Sequence, residues 1–133
     1  QVIVVRKKFP TAKQNESSKL RTGKYVAQGA HAVSNIFFDR ISEKGDDFIK
    51  IDVTPEMLEW LFNERRTKIT VSVEDEAELL EIYEAAKAAD LPVSLITDAG
   101  LTEFNGVPTK TALAIGPAKS EDIDKITGHL SLF

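Results

Sequence analysis

Short apolar runs alternate along this chain with longer segments of helical period. The run from Val2 to Val5 predicts a buried strand, and Ile69 to Val73 alternates as a second strand. A third strand is predicted at Val93 to Thr97 and a fourth at Thr111 to Ile115. Between the last two lies Asn105-Gly106, a turn signal that favours an antiparallel pair. We therefore expect a four-stranded sheet of mixed strand direction.

The first helix is predicted from Gly23 to about Phe38. Three apolar residues recur there at helical spacing and are expected to face the core: Val26, Val33 and Phe37. The polar connection before this helix, Pro10 to Thr22, has no clear period and indicates a long loop. Ser42 to Asp47, after the helix, is typical of a turn.

Three further helices are predicted from start and stop signals. Thr54-Pro55-Glu56 begins the second, because Thr can cap free N–H groups and Pro at the first position loses no hydrogen bond. Its expected core residues are Met57, Leu58, Leu61 and Phe62. Ser72 to Asp75 resembles a capping box for a third helix that runs to about Ala89. The fourth spans Ser120 to Thr127 and ends at Gly128.

This alternation of strands and helices predicts an α/β fold, with a mixed four-stranded β-sheet that carries helices on both faces. With 133 residues, of which 42% are hydrophobic, the chain is expected to form a single domain over 1–133. The lack of cysteine excludes disulfides and thiolate nucleophiles, and it fits a cytoplasmic protein. No apolar run approaches the roughly 20 residues that span a bilayer, so no membrane partner is expected. The two histidines, His31 and His129, are too few to predict a metal site.

The charge is polarised along the chain. The net charge is −4, yet residues 1–24 hold seven basic residues against one acidic residue, while the remainder holds ten against twenty. The basic residues of this segment are Arg6, Lys7, Lys8, Lys13, Lys19, Arg21 and Lys24. Such a cluster is typical of phosphate binding that weakens as salt rises. The alternative is a solvated loop whose lysines only maintain solubility.

A polar stripe runs along the first predicted helix. At 100° per residue, four side chains fall within about 60° of arc: Lys24, Gln28, His31 and Asn35. Most polar stripes only face water. This one contains Gln, His and Asn where a solvated helix more often has Glu and Lys, and no acidic residue occurs from Thr22 to Phe38. The stripe is therefore a candidate functional surface.

A second polar cluster begins where the third strand ends. Asp98 directly follows that strand, and ligands of α/β sheets favour the crevice beyond the carboxyl ends of strands. Thr102 and Thr111 lie near it in the chain. Each residue also has an ordinary explanation, as a turn former, a cap or a β-former. A buried hydroxyl at Thr111 would need a hydrogen-bond partner.

Several motifs together resemble one family, the type 2 peptidyl-tRNA hydrolases. The segment from Gly23 to Ala32, GKYVAQGAHA, resembles that family's first-helix motif. Val93 to Thr102, VSLITDAGLT, and Thr111 to Pro117, TALAIGP, resemble its second half, and Ile126 to Leu130, ITGHL, resembles its end. The order and spacing of these motifs make the resemblance more specific than any single match.

The resemblance implies hydrolysis of the ester that joins a peptide, or an N-blocked amino acid, to the 3′ ribose of tRNA, without a cofactor. It also makes a homodimer plausible. Carried over position by position, it implies these catalytic residues: Lys24, Gln28, Asp98, Thr102 and Thr111, together with His31, which matches a motif position. Substrate-binding residues are expected among Lys7, Lys8, Lys19, Arg21 and Asn35.

Ester hydrolysis needs a positioned water, a group that orients it or takes its proton, and donors for the oxyanion. Asp98 is expected to orient or deprotonate the water. Lys24 is expected to stabilise negative charge on the oxyanion or on a terminal phosphate, Gln28 and Thr102 to hold substrate or water, and Thr111 to orient Asp98 or the ribose edge.

Two other functions stay open at this point: a non-enzymatic RNA- or protein-binding module on the same fold, and a hydrolase of another ester or amide. The loop from Thr11 to Arg21, the segment from Arg40 to Glu64 and the interval between Thr102 and Thr111 depart from the family pattern. These departures bear on substrate fit more than on fold.

Overall fold

The computed structural model describes residues 1–10, 17–62 and 65–133. In chain order the elements are β1 (Val2–Arg6), β2 (Phe9–Pro10), β3 (Ser17–Ser18), α1 (Thr22–Phe38), β4 (Ile41–Lys44), β5 (Ile49–Ile51), α2 (Pro55–Phe62), β6 (Ile69–Val73), α3 (Glu76–Ala88), β7 (Val93–Asp98), β8 (Thr109–Ile115) and α4 (Ser120–Thr127).

The central sheet has the strand order β6-β1-β8-β7. β1 is parallel to β6 and antiparallel to β8, and β7 is antiparallel to β8. This arrangement confirms the predicted four-stranded mixed sheet. Because β1, β6 and β7 share one direction, their carboxyl ends lie at the same end of the sheet, beside the start of β8.

Helices cover both faces of the sheet, as predicted. On one face Val4, Leu113 and Ile115 pack against α3 and α4 in a cluster that includes Leu79 and Ile123. On the other face the core residues come from α1, α2 and the sheet: Ala32, Ile36, Met57, Ile96 and Ala114. None of the helices in the described residues is long and apolar enough to cross a membrane.

The predicted core face of α1 is wrong in part. Val26 is 68% exposed, whereas Gln28 is only 3% exposed, although Val33 and Phe37 do pack against the core. The helix can lie close to the sheet because its inner face has small residues: a Cβ at Gly29 would lie 3.6 Å from Ile3. The inner face is therefore marked by small residues and one buried amide rather than by the apolar residues alone.

The start of α2 is confirmed, but part of its predicted core is wrong. Thr54 Oγ1 accepts a hydrogen bond from the Met57 N–H at 3.1 Å, as a cap should. Met57 is fully buried, whereas Leu58 and Phe62 are 50% and 77% exposed. A helix of eight residues that meets its neighbours along one side buries only that side.

The predicted capping box at Ser72 to Asp75 is also wrong, because Ser72 lies inside β6. The cap of α3 is Asp75, whose carboxylate accepts the Glu78 N–H at 3.1 Å. Glu78 in turn accepts the Glu74 N–H at 2.7 Å. The side chains that close the first turn therefore lie three residues later than predicted.

Two short hairpins were not predicted. β4 and β5 pair antiparallel and turn at 45–48, so the predicted turn at Ser42 to Asp47 is partly strand. β2 and β3 also pair antiparallel, and of these two strands only Phe9 lies outside the predicted loop from Pro10 to Thr22. The rest of that loop, 11–16 with Lys13, lies outside the described residues.

Candidate active site

The candidate site lies where the carboxyl end of β7 meets the first turns of α1. Asp98 is the last residue of β7, and Lys24 and Gln28 lie one turn apart on α1. Thr111 is on β8, next to β7. The two polar clusters, separated in sequence by about seventy residues, are thus brought together by the packing of α1 across β7 and β8.

Asp98 accepts hydrogen bonds at both carboxylate oxygens. Its Oδ1 accepts from Lys24 Nζ at 2.7 Å and from Gln28 Nε2 at 3.3 Å. Its Oδ2 accepts from the Gly100 N–H at 2.9 Å. The side chains of Lys24 and Asp98 are 18% and 14% exposed, so this ion pair is partly shielded but still reachable from solvent.

Thr111 fixes the orientation of Gln28. The Thr111 hydroxyl, which is fully buried, donates to Gln28 Oε1. With that oxygen engaged, the amide nitrogen of Gln28 faces Asp98, as its hydrogen bond requires. Thr111 therefore acts on Asp98 through Gln28, and no hydrogen bond among the described residues joins Thr111 to Asp98 directly.

Thr102 completes the cluster from the loop after β7. Its Oγ1 accepts a hydrogen bond from Lys24 Nζ at 3.3 Å, which leaves the Thr102 hydroxyl proton free to donate. The ammonium has three protons, of which Asp98 and Thr102 engage two. Among the described residues, one Lys24 proton and the Thr102 hydroxyl proton therefore have no partner and are available for a substrate.

The loop after β7 needs a glycine at position 100. Gly100 has φ +79°, and a Cβ there would lie 2.2 Å from the Val107 carbonyl oxygen. This backbone conformation aims the Gly100 N–H at Asp98. Gly100 was not among the predicted site residues, although an Asp followed two residues later by Gly is typical of such a turn.

The hydrogen bonds around Asp98 favour its ionised form. Partial burial acts to raise the pKa of Asp98, but hydrogen bonds from Lys24, the Gly100 N–H and Gln28 outweigh it and hold that pKa below its ordinary value. Asp98 is thus a carboxylate across the neutral range, suited to accept a hydrogen bond from water and weak as a proton acceptor.

Two residues of the predicted stripe are not part of this cluster. His31 is exposed, and no hydrogen bond among the described residues joins it to Asp98. Asn35, one turn further along α1, is half-buried and equally separate from the cluster. The predicted stripe therefore divides into an engaged part, at Lys24 and Gln28, and a part away from the ion pair.

The predicted substrate-binding cations lie at the same end of the sheet, but three of the four form ion pairs with acidic residues. Lys7 and Lys8 both form salt bridges with Glu74, and these bonds lower the pKa of Glu74 to about 2. Arg21 pairs with Glu103 at 2.8 Å. Lys19 is exposed. Neither acidic partner was predicted, because each lies far from its cation in the chain.

A cavity of about 400 Å³ lies at the opposite end of the sheet. Its lining includes Gln1 and Val2 at the start of β1, Trp60 of α2 and Ser120 of α4. It shares no residue with the Asp98 cluster.

The cluster around Asp98 combines what hydrolysis of an ester requires. Asp98 can orient a water, while the free proton of Lys24 and the hydroxyl of Thr102 can donate to an oxygen that gains negative charge. Gln28 and Thr111 hold Asp98 from the buried side.

Similar proteins from several archaea share one name. A relative from Methanocaldococcus jannaschii, named peptidyl-tRNA hydrolase, is 46% identical over 110 residues, 83% of this chain and 86% of the relative. Another of that name, from Thermococcus onnurineus, is 38% identical over 134 residues, 99% of this chain and 95% of the relative. A third, from Halobacterium salinarum, is 46% identical over 112 residues, 84% of this chain and 87% of the relative.

A solved structure of an Agrobacterium protein of unknown function matches the fold alone. Its TM-score is 0.55 at 14% sequence identity, and the match covers 99% of this chain and 95% of the other.

The family model described as peptidyl-tRNA hydrolase PTH2 matches residues 1–133. This match and the identities above confirm the resemblance carried by the helix and strand-end motifs. The chain belongs to the PTH2 family of peptidyl-tRNA hydrolases.

Proposed function

We propose that this protein hydrolyses the ester bond between a peptide, or an N-blocked amino acid, and the 3′ ribose of tRNA. The main support for the proposal is that Lys24 and Gln28 both donate hydrogen bonds to one oxygen of Asp98, where the carboxyl ends of the strands meet. Family membership and the names of the relatives support the same reaction.

In the proposed reaction a water held by Asp98 attacks the ester carbonyl carbon. The carbonyl oxygen gains negative charge, and then the bond from the carbonyl carbon to the ribose 3′ oxygen breaks. Of the two protons that the attacking water gives up, one goes to the ribose 3′ oxygen and the other passes to solvent. The products are a free peptide carboxylate and tRNA. Because its pKa is held low, Asp98 contributes by orienting the water more than by storing its proton.

Lys24 and Thr102 would stabilise the developing oxyanion. The Lys24 ammonium is fixed by Asp98 at 2.7 Å and by Thr102 at 3.3 Å, so its third proton has a restricted direction. A fixed donor needs little reorganisation when charge develops, which is why such donors favour the transition state. Contact with a terminal phosphate of the acceptor end is the other use of the same proton.

The tRNA would approach over the end of the sheet that carries the basic residues Lys7, Lys8, Lys19 and Arg21. Three of these four cations have acidic partners, so a phosphate must compete with Glu74 or Glu103 for them. We expect tRNA affinity to fall as salt rises.

The direct test is release of tRNA from N-acetyl-aminoacyl-tRNA, with Asp98→Asn as the site variant and Asp90→Asn as the matched control. Asp90 is exposed and has φ +54°, a conformation that Asn also tolerates. We expect release by the wild type and by Asp90→Asn and loss with Asp98→Asn. No release by any of the three, with tRNA still bound, would favour a binding protein instead.

We also infer a homodimer and a cytoplasmic location. The first follows from the family resemblance and is tested by sedimentation of the free protein. The cytoplasmic location follows from the proposed substrate, because ribosomes produce peptidyl-tRNA. Cell fractionation tests this location.

A further inference from the structure

The two edges of the central sheet differ in how they are covered. At the β6 edge the last residues of the chain add an extra bridge, in which Leu132 pairs with Val71 and the Ser72 N–H donates to the Ser131 carbonyl at 3.0 Å. At the other edge, no strand among the described residues pairs with the outer side of β7. One edge is thus closed by the chain itself and the other is open.

The open edge offers backbone donors and acceptors in a known alternation. The Gly116 N–H donates to the Pro92 carbonyl at 2.8 Å, so position 92 faces β8. Backbone groups of a strand alternate in direction, so Ser94 and Ile96 also face β8, while Val93 and Leu95 turn their N–H and C=O groups outward. No hydrogen bond among the described residues engages these outward groups.

The open edge also lacks the usual protection against pairing. Exposed edge strands commonly have lysine, proline or an inward charge that discourages other strands. β7 has the sequence VSLITD, with no charged residue before Asp98 itself. The unprotected edge of β7 therefore ends at the candidate catalytic carboxylate.

We propose that the outer edge of β7 binds the peptide part of the substrate as an added strand; this rests on the proposed hydrolase function. The occupant follows from continuity with the site: the ester must lie at Asp98, and the peptide leads away from the ester. Since the C-terminal residue of the peptide carries the ester, the peptide would run parallel to β7, with its C-terminal end at Asp98.

Backbone pairing suits a substrate whose sequence is not fixed. In strand addition the main-chain bonds give affinity whatever the side chains are. β7 spans six residues from Val93 to Asp98, and at about 3.3 Å per residue this edge accommodates roughly four or five peptide residues. Longer peptides should gain nothing further.

The experiment compares substrates of increasing peptide length with the wild-type protein. N-acetyl-aminoacyl-tRNA is set beside peptidyl-tRNAs of two, four and eight residues that share the same C-terminal residue. We expect kcat/KM to rise by about 2- to 10-fold for each backbone hydrogen bond gained, and to level off at about four residues. N-methylation of alternate peptide bonds should remove the gain at every second position only.

A pair of variants tests the edge from the protein side. Leu95→Pro and Leu95→Ala both lose the partly buried leucine side chain, but only Leu95→Pro loses the outward N–H. We expect Leu95→Ala to keep the length dependence and Leu95→Pro to lose much of it. The two variants should hydrolyse N-acetyl-aminoacyl-tRNA at the same rate as each other, because that substrate is too short to reach position 95.

The outcomes separate this inference from the proposed function. No hydrolysis of any substrate would contradict the hydrolase itself. Hydrolysis that is independent of peptide length, or insensitive to N-methylation, would overturn the edge-binding inference and leave the hydrolase standing. The N-methylated substrates decide the matter even if Leu95→Pro fails to fold. Concentration-dependent dimerisation that Leu95→Pro abolishes would assign the edge to a second copy of the chain and would also overturn it.

Discussion

Replacing Thr111 with valine tests whether the buried side of the site matters for catalysis. The change keeps the shape of the side chain and removes one hydroxyl, the donor to Gln28 Oε1. Gln28 is 3% exposed, so its oxygen cannot turn to water instead. A buried polar atom left without a partner costs about 1–3 kcal/mol. The amide of Gln28 would also lose the contact that keeps its nitrogen toward Asp98.

If that cost is carried into the transition state, the rate falls by about 5- to 150-fold, because each 1.4 kcal/mol is a factor of about ten. Thr111→Ser is the matched control, since it keeps the hydroxyl and loses only a buried methyl, worth about 0.8 kcal/mol of stability. Release of tRNA from N-acetyl-aminoacyl-tRNA gives the rate, and urea unfolding gives the stability of each variant.

A double variant separates catalysis from stability. In Gln28→Met/Thr111→Val both partners of the hydrogen bond become apolar, so much of the lost stability should return. Activity should stay low, because Asp98 has still lost its contact with Gln28. Activity of Thr111→Val within about twofold of the wild type, or an equal loss with Thr111→Ser, would refute this reasoning.

Four further predictions concern the ion pair and its surroundings. Lys24→Ala should lower kcat/KM by about 100- to 1,000-fold, as for loss of an oxyanion donor, and normal kinetics would remove Lys24 from the mechanism. Because the pKa of Asp98 is lowered, its carboxylate stabilises the fold above the unfolded value of about 3.9 and stops doing so as pH falls through the lower folded value. The stability difference between wild type and Asp98→Asn should therefore be constant from pH 8 to about 5 in urea unfolding, and a difference that shrinks near pH 6 would contradict this. Glu74→Gln should free two lysines, tighten tRNA binding at low salt and steepen the salt dependence, whereas an unchanged slope in a filter-binding titration would place the tRNA elsewhere. His31→Ala should change kcat/KM by no more than about twofold, since the side chain is exposed and apart from the ion pair, and a loss above tenfold would restore His31 to the catalytic set.

The sheet and most helix starts could be predicted because their causes are local. β1 and β6 are runs of β-branched residues, and Thr54 followed by Pro55 starts a helix by its own chemistry. The hairpin of β4 and β5 could not be predicted, because its strands are short and mostly exposed and leave little apolar periodicity.

The candidate site residues were predicted by motif, but their arrangement in space was not. The burial of Gln28 depends on Thr111, eighty-three residues later, and the neutralisation of Lys7 depends on Glu74. Helical periodicity compares a residue only with its own helix, so it placed Val26 inside and gave no sign that an amide lies against the sheet. Such pairings arise only when the strands assemble.

In the proposed site, Asp98 is held by Lys24 and Gln28 at the centre of the peptidyl-tRNA hydrolysis chemistry. The most direct measurement is the rate of tRNA release from N-acetyl-aminoacyl-tRNA by the wild type, by Asp98→Asn and by Asp90→Asn. We expect the wild type and Asp90→Asn to release tRNA at the same rate. Asp98→Asn should show the circular dichroism spectrum of the folded protein and release tRNA at least about 100-fold more slowly. Equal rates for all three proteins would contradict the account.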